Sequence, residues 1–279
     1  MKKLIVIACF LMAQSSFAWG PTGHRVVGAV AEKYLKHHTQ RKLKKLLQGE
    51  SLASASNWPD EIKSDPDHYS HTYNWHYTDW RNDTPNYDRD HNNGALVVAI
   101  ENNLSVLKDK KSSDADKVFA IKFLVHLIGD VHMPLHVGNG LDRGGNNCKV
   151  VYQGTLSNMH RVWDENMIDF SHLSYTELAD FVNVVSKDEV KKIQTGSVLD
   201  WARESRDIRE TIYPAESTTP DALPSTIPGV KNYCDSSLQL PQTALPQLGY
   251  DYAYKFMPVL KRRLLEAGLR LAMALNDAL

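Results

Sequence analysis

The sequence predicts a mainly α-helical protein with long irregular loops and at most a short β-hairpin. Apolar residues recur at helical spacing through most of the chain, Ser, Thr, Asp or Asn stands near several expected helix starts, and strand signals are sparse.

The amino terminus reads as a leader. Lys2 and Lys3 give a basic start, Leu4 to Met12 form a short apolar run, and Ser16 and Ala18 place small residues where a signal peptidase needs them. Residues 1–18 are therefore expected to be a cleaved signal peptide, leaving residues 19–279 as one domain that begins at Trp19 and is secreted or periplasmic. The run is too short to span a bilayer, and no later stretch approaches the roughly 18 apolar residues of a membrane helix. No stable membrane association is expected.

Residues 23–35 carry Val26, Val27, Val30, Ala31 and Tyr34 on helical spacing, and 40–48 carry Leu43, Leu46 and Leu47. Further periodic stretches run near 51–63, 93–110, 114–133, 157–168, 174–193, 197–212 and 246–278. Residues 148–154 are the best strand candidate, and 74–80 a weaker one. Two polar segments interrupt the pattern. Residues 64–92 are dense in Asp, Asn, His and Tyr and are read as functional; the proline-rich 214–245 carries no assignable chemistry.

Losing the leader changes the charge count from 32 basic against 33 acidic residues to 30 against 33. So nearly neutral a chain lacks a global electrostatic footprint for nucleic acid or anionic lipid, and a polyanionic substrate would need a local grip. Bound metal supplies one. Of three cysteines Cys9 lies in the leader, which leaves Cys148 and Cys234 as an expected disulfide in an oxidising compartment.

The most informative stretch is residues 122–138. His126 and Asp130 stand four apart on one helix face, Pro134 ends the helix, and His136 follows. His160 and Asp164 repeat the spacing. Imidazole and carboxylate are common zinc ligands. A lone pair of this kind is weak, since surface ion pairs share the spacing. Here Phe123, Leu124, Val125, Leu127, Ile128 and Val131 surround His126, so the helix is expected to be buried, and a buried Asp130 is costly unless paired or metal-bound. His132, about 120° around the helix from His126, is expected outside the site. His37, His38, His68, His71, His91 and His172 lie in polar contexts and are expected to be solvated.

Trp19 with His24, Trp58-Pro59-Asp60, Trp75-His76-Tyr77, His126-Leu127-Ile128-Gly129-Asp130, Met133-Pro134-Leu135-His136, Gly144-Gly145-Asn146 and His160 with Asp164 follow one another in order. This set resembles the type I, S1/P1-type, nucleases of fungi and plants, which group with zinc-dependent phospholipases C in a superfamily of trinuclear-zinc phosphodiesterases. The resemblance spans residues 19 to about 170 and implies a single-domain helical fold of the phospholipase C/nuclease type. In that family the first mature residue binds metal through its amino group and carbonyl oxygen, which implies that Trp19 does so once the leader is removed. By position, the resemblance implies one zinc on Asp60, His76, His126 and Asp130, a second on His136, His160 and Asp164, and a third on Trp19, His24 and the shared Asp130.

The resemblance also implies a catalytic set of Asp60, Lys63 and Asp130, with Lys63 standing where the family usually has arginine. Tyr77 and Asp79 match positions that stack on a base and hydrogen-bond its edge, and Asn146 joins them as a substrate-binding candidate. The expected activity is zinc-dependent hydrolysis of single-stranded DNA and RNA to 5′-phosphate products, with 3′-mononucleotides as further substrates, by a monomer. Three zinc ions against three aspartates leave the cleft positive although the chain is not. The rival expectations are a zinc-dependent phospholipase C, and a non-catalytic secreted protein with structural zinc.

Overall fold

A computed structural model describes residues 19–90, 93–216 and 219–279. The expected leader and His91 lie outside the described residues. Helix α1 (Pro21–Glu32) starts with proline at its first position, where no backbone N–H is missed, and is followed by α2 (His37–Leu46). Three single-turn helices come next: α3 (Leu52–Ala55), α4 (Trp58–Glu61) and α5 (Pro66–Tyr69). Tight 3₁₀ turns at Ile62–Ser64 and Ser70–His76 lead into strand β1 (Thr78–Asp79). The segment expected to be irregular is thus a chain of short turns, and 74–80 is strand only at its end.

Helix α6 (Leu96–Lys108) precedes the central helix α7 (Asp114–His132). A reciprocal capping box between Ser113 and Asp116 starts α7. Met133, extended ahead of Pro134, stops it as expected. Ala120, Ile121 and Phe123 through His132 are all buried, so α7 is enclosed by its neighbours α6, α13 (Tyr250–Ala278), α1 and α12 (Val198–Ile212). Among the described residues no helix is long and apolar enough to cross a membrane.

A 3₁₀ turn at Pro134–His136 delivers the chain to β2 (Val137–Gly138), which pairs in parallel with β1. The strand expected near 148–154 is β3 (Lys149–Tyr152). It forms a hairpin with β4 (Thr155–Asn158) and a parallel pair with β5 (Gln247–Leu248). Helix α8 (Met159–Arg161) runs through a π-helical turn, Val162–Asn166, into α9 (Met167–Asp169). The stretch 174–193 is two helices, α10 (Tyr175–Val182) and α11 (Lys187–Ile193), each opened by a serine cap. Cys148 and Cys234 form the expected disulfide, which ties the proline-rich segment to the start of β3.

Candidate metal centre

Segments far apart in sequence converge on the C-terminal half of α7. His126 and Asp130 project from one face of it, as their spacing requires, and both are fully buried. Helix α4 brings Asp60, whose Oδ1 lies 3.6 Å from His126 Nε2 and 3.7 Å from His76 Nδ1. Asp130 Oδ2 lies 3.5 Å from His126 Nε2 and 3.4 Å from His76 Nδ1, while its Oδ1 faces His24 Nε2 at 3.4 Å. A second group forms beside it. His160 Nε2 is 2.9 Å and His136 Nε2 3.8 Å from the Asp164 carboxylate. Three triads, His24/His126/Asp130, Asp60/His76/His126 and His136/His160/Asp164, each place one ligand atom per residue within 4.8 Å of the others.

The two His/Asp pairs achieve their approach differently. His126 and Asp130 sit in regular α-helix. Asp164 lies within the π-helical turn, where each turn holds an extra residue and the side chain swings relative to His160.

Backbone carbonyls fix which ring nitrogen faces the cluster. His126 Nδ1 donates to Ser56 O at 2.7 Å, His136 Nδ1 to His76 O at 2.5 Å, and His160 Nδ1 to Gly144 O at 2.8 Å. A carbonyl can only accept, so Nδ1 carries the proton and Nε2 presents a lone pair, the arrangement that metal-binding histidines share. His132 also donates through Nδ1, to Ile128 O, but its Nε2 accepts from Arg270 at 3.0 Å. That histidine belongs to a separate polar network, as its helical position requires. His37, His38, His68, His71 and His172 are exposed.

The cluster is incomplete as a set of protein groups. Both carboxylate oxygens of Asp130, both ring nitrogens of His24, and the Nε2 atoms of His76 and His136 are buried without a hydrogen-bond partner. Leaving such groups unmet costs roughly 1–3 kcal/mol each, and more when they are charged. Burial, with Asp60 beside it, pushes Asp130 well above the ordinary carboxylate range. Burial, reinforced by neighbouring positive charge, holds His24 and His76 well below the ordinary imidazole value. Burial also takes His126 down to about 4 despite Asp60. Burial works to raise Asp164, but the adjacent His160 imidazole, with His136 beside it, favours the charged carboxylate and lowers it. Neutral imidazoles around Asp130 and Asp164, whose oxygens meet no hydrogen-bond donor, are a donor set for a cation, and their N and O atoms suit zinc.

The remaining candidates lie around this cluster. Lys63 Nζ donates to Asp60 Oδ1 at 2.6 Å. Trp19 is fully buried, its indole Nε1 donates to Gly129 O at 2.8 Å, and Gly20 N donates to Asp164 O at 2.9 Å. The amino-terminal segment is therefore tied both to the residue preceding Asp130 and to Asp164 itself. Tyr77 is 36% exposed, and its hydroxyl donates to Asn93 at 3.4 Å. Asp79 accepts from Asn93 Nδ2 at 2.8 Å, and burial raises its pKa against that bond. Asn146 occupies the turn after Gly144, its Nδ2 donating to Arg143 O at 2.9 Å.

Sequence reasoning missed Ser56, the carbonyls of His76 and Gly144, and Asn93. Main-chain acceptors leave no side-chain signature. Asn93 did leave one, the turn-forming dipeptide Asn93-Gly94.

The profile of the S1/P1 nuclease family matches residues 19–279. Nuclease S1 of Aspergillus oryzae is 29% identical over 99% of this chain and 98% of its own length. Endonuclease 4 of Arabidopsis thaliana is 29% identical over 97% and 92%. Nuclease P1 of Penicillium citrinum is 31% identical over 53% and 58%. The family is zinc-dependent in general, in keeping with several His/Asp groups able to hold metal. Because that match covers every residue of the buried cluster as well as the helices that position it, the chain belongs to the S1/P1 nuclease family and is an endonuclease acting on nucleic acid.

Proposed function

We propose that this endonuclease is a secreted trinuclear-zinc phosphodiesterase that hydrolyses single-stranded DNA and RNA to 5′-phosphate products and also acts on 3′-mononucleotides. The observation that carries the reading is the set of buried nitrogen and oxygen atoms in the cluster, on Asp130, Asp164, His24, His76 and His136, that have no hydrogen-bond partner. Asp60, His76, His126 and Asp130 would hold one ion, His136, His160 and Asp164 a second, and Trp19, His24 and Asp130 a third. Zinc in such sites acts as a Lewis acid and lowers the pKa of water toward 7. A set of three protein ligands, such as His136, His160 and Asp164, leaves room for substrate, which favours catalysis over a closed structural site.

The protein's own groups position the substrate. The Lys63 ammonium neutralises a phosphate oxygen as a point charge, without the bidentate geometry of arginine. The exposed face of Tyr77 stacks on a base, while Asp79, steadied by Asn93, accepts a hydrogen bond from the base edge. Asn146 adds a polar group beside the His160 side of the cluster. Stacking requires a base that is not already paired within a duplex, so preference for single strands follows. The Cys148–Cys234 disulfide supports export to an oxidising compartment, and a monomer is sufficient, since one chain supplies every proposed ligand.

The test combines metal analysis with end-group analysis of products from single-stranded DNA and RNA. The expected result is three zinc ions per chain and 5′-phosphate ends, with turnover lost on chelation and restored by zinc. Zinc-loaded protein that leaves both polymers intact but hydrolyses phosphatidylcholine would place the chain with the phospholipases. Chelation that unfolds a chain with no turnover on any of these substrates would make the zinc structural.

A further inference from the structure

Between Lys33 and Gly49 the sequence has six basic residues, Lys33, Lys36, Arg41, Lys42, Lys44 and Lys45, and no acidic one. In a chain of net charge −1 this is a local asymmetry that the overall balance conceals. Lys33 pairs with Asp180, and Lys42 donates to the carbonyl oxygen of Leu279. Arg41, Lys44 and Lys45 are exposed on α2, with Arg41 and Lys45 one turn apart on one face.

That face borders a cavity of about 580 Å³ lined by Lys45, Trp58, Tyr69, Asp114, Phe119 and Lys122, among others. Its aromatic floor is partly exposed: Trp58 meets Tyr69 and Phe119 edge to face at 5.8 and 5.7 Å. Lys122 Nζ stands over the Trp58 ring at 5.4 Å and pairs with Glu50 at 3.0 Å. Within the groove Asp114 and Glu50 balance Lys45 and Lys122, so the excess of positive charge lies beside it, at Arg41 and Lys44 on the exposed side of α2.

The groove lies one helical turn from the cluster, since Trp58 in its lining is two residues before Asp60. Lys122 precedes His126 by four residues, about 6 Å along α7. Tyr69 lines the groove, and Tyr73, one turn further on and 37% exposed, donates its hydroxyl to the carbonyl oxygen of Lys63. Aromatic faces beside flexible cations are the two elements that bind single-stranded nucleic acid without sequence preference: rings stack on bases and cations follow the backbone.

We propose that this groove is an accessory site for the strand flanking the scissile bond, so that long single-stranded substrates are held at α2 and α7 as well as at the cluster. The proposal rests on the nuclease reading above. It concerns residues that are not themselves proposed metal ligands, and it predicts an effect of substrate length.

The experiment compares wild-type holoenzyme with an Arg41→Ala/Lys45→Ala double variant on a long oligo-dT strand and on the thymidine dinucleotide, across a salt series. The expected result is a KM for the long strand raised about tenfold at low salt, a salt-dependence slope smaller by about 1.4 for two lost phosphate contacts, and unchanged dinucleotide cleavage. Equal KM and slope in both proteins would overturn the proposal. So would an equal loss on the dinucleotide, which would mean that the substitutions act through the catalytic cluster. If the wild type cleaves neither substrate, the nuclease reading fails, and anisotropy of the labelled long strand still decides the groove: binding weakened by the substitutions supports it, and unaltered binding overturns it. Anionic phosphatidylglycerol vesicles serve as a third probe, and capture of vesicles without capture of the oligonucleotide would assign the basic face to a lipid surface and overturn the strand site.

Discussion

Lys63 Nζ lies 2.6 Å from Asp60 Oδ1, and both side chains are mostly shielded from water. The same Asp60 oxygen faces His76 and His126, so the ammonium shares a carboxylate with a prospective metal site. Asp60, His76 and His126 would hold a cation there, and Lys63, sharing Asp60 with it, would then be free to meet a phosphate. Lys63→Met is therefore expected to keep its zinc but lose about 10²-fold in kcat, the scale of removing one charged or hydrogen-bonding stabiliser of the transition state. Lys63→Arg should regain most of the rate. Metal analysis with steady-state kinetics checks this, and an unaltered kcat in the methionine variant would remove Lys63 from the mechanism.

Gly144 joins backbone conformation to the His136/His160/Asp164 group. Its φ of +59° lies in the left-handed region, and a Cβ built there would stand 2.4 Å from Leu135 O. The carbonyl of this residue is the one that accepts from His160 Nδ1. Gly144→Ala is expected to cost about 1–3 kcal/mol through backbone strain and to loosen the His136/His160/Asp164 group. Thermal denaturation should report the first effect and zinc content the second. Full zinc occupancy in a destabilised variant would separate the carbonyl from metal binding.

Much of this centre could be read from spacing. His126 and Asp130 are four apart in a helix whose serine cap and terminal Met133-Pro134 are both visible in the sequence, and the same geometry excludes His132. The π-helical turn that carries Asp164 was not legible, because one extra residue per turn alters no residue type. Nor were the short turns between Asp60 and His76, since a single turn is too short to display a period. The anchoring carbonyls of Ser56, His76 and Gly144 depend on tertiary contacts that residue type does not encode. The basic run before Gly49 is visible in the sequence, but acidic residues elsewhere cancel it in the net charge.

The last turn of α7, just beyond Asp130, rests on a separate network. Arg263 Nε donates to His132 O at 3.0 Å, Ser205 Oγ to Val131 O at 2.5 Å, and Arg270 meets His132 Nε2. Glu204 accepts from Arg270 at 2.5 and 2.7 Å and from Arg263 at 2.8 Å. Burial works to raise Glu204, but the hydrogen bonds and charges of Arg270 and Arg263 prevail, so its folded pKa falls below the ordinary 4.5. The stabilisation is therefore present above pH 4.5 and lost as pH falls through the lower folded value. Glu204→Gln should cost about 1–2 kcal/mol at neutral pH, discounted because the carboxylate is partly solvated. Its denaturation midpoint should converge with that of the wild type in acid. Parallel curves across that range would refute the charge account.

Trp19 is held at two points, through its indole to Gly129 O and through the next residue to Asp164 O. Those anchors bring the proposed first residue of the mature chain to the helices carrying Asp130 and Asp164. If its amino group and carbonyl oxygen complete the third set, a chain starting at Trp19 should bind one more zinc than the same chain with a single alanine ahead of it. The extended chain should also lose most of its turnover. Trp19→Phe separates packing from ligation: it removes the indole hydrogen bond, at a cost of about 1 kcal/mol, but retains the backbone groups. That variant should keep all three zinc ions with a lowered Tm. Equal zinc content and equal kcat in the extended and unextended chains would exclude the amino group, and Trp19 would then be a buried side chain that orders the start of α1.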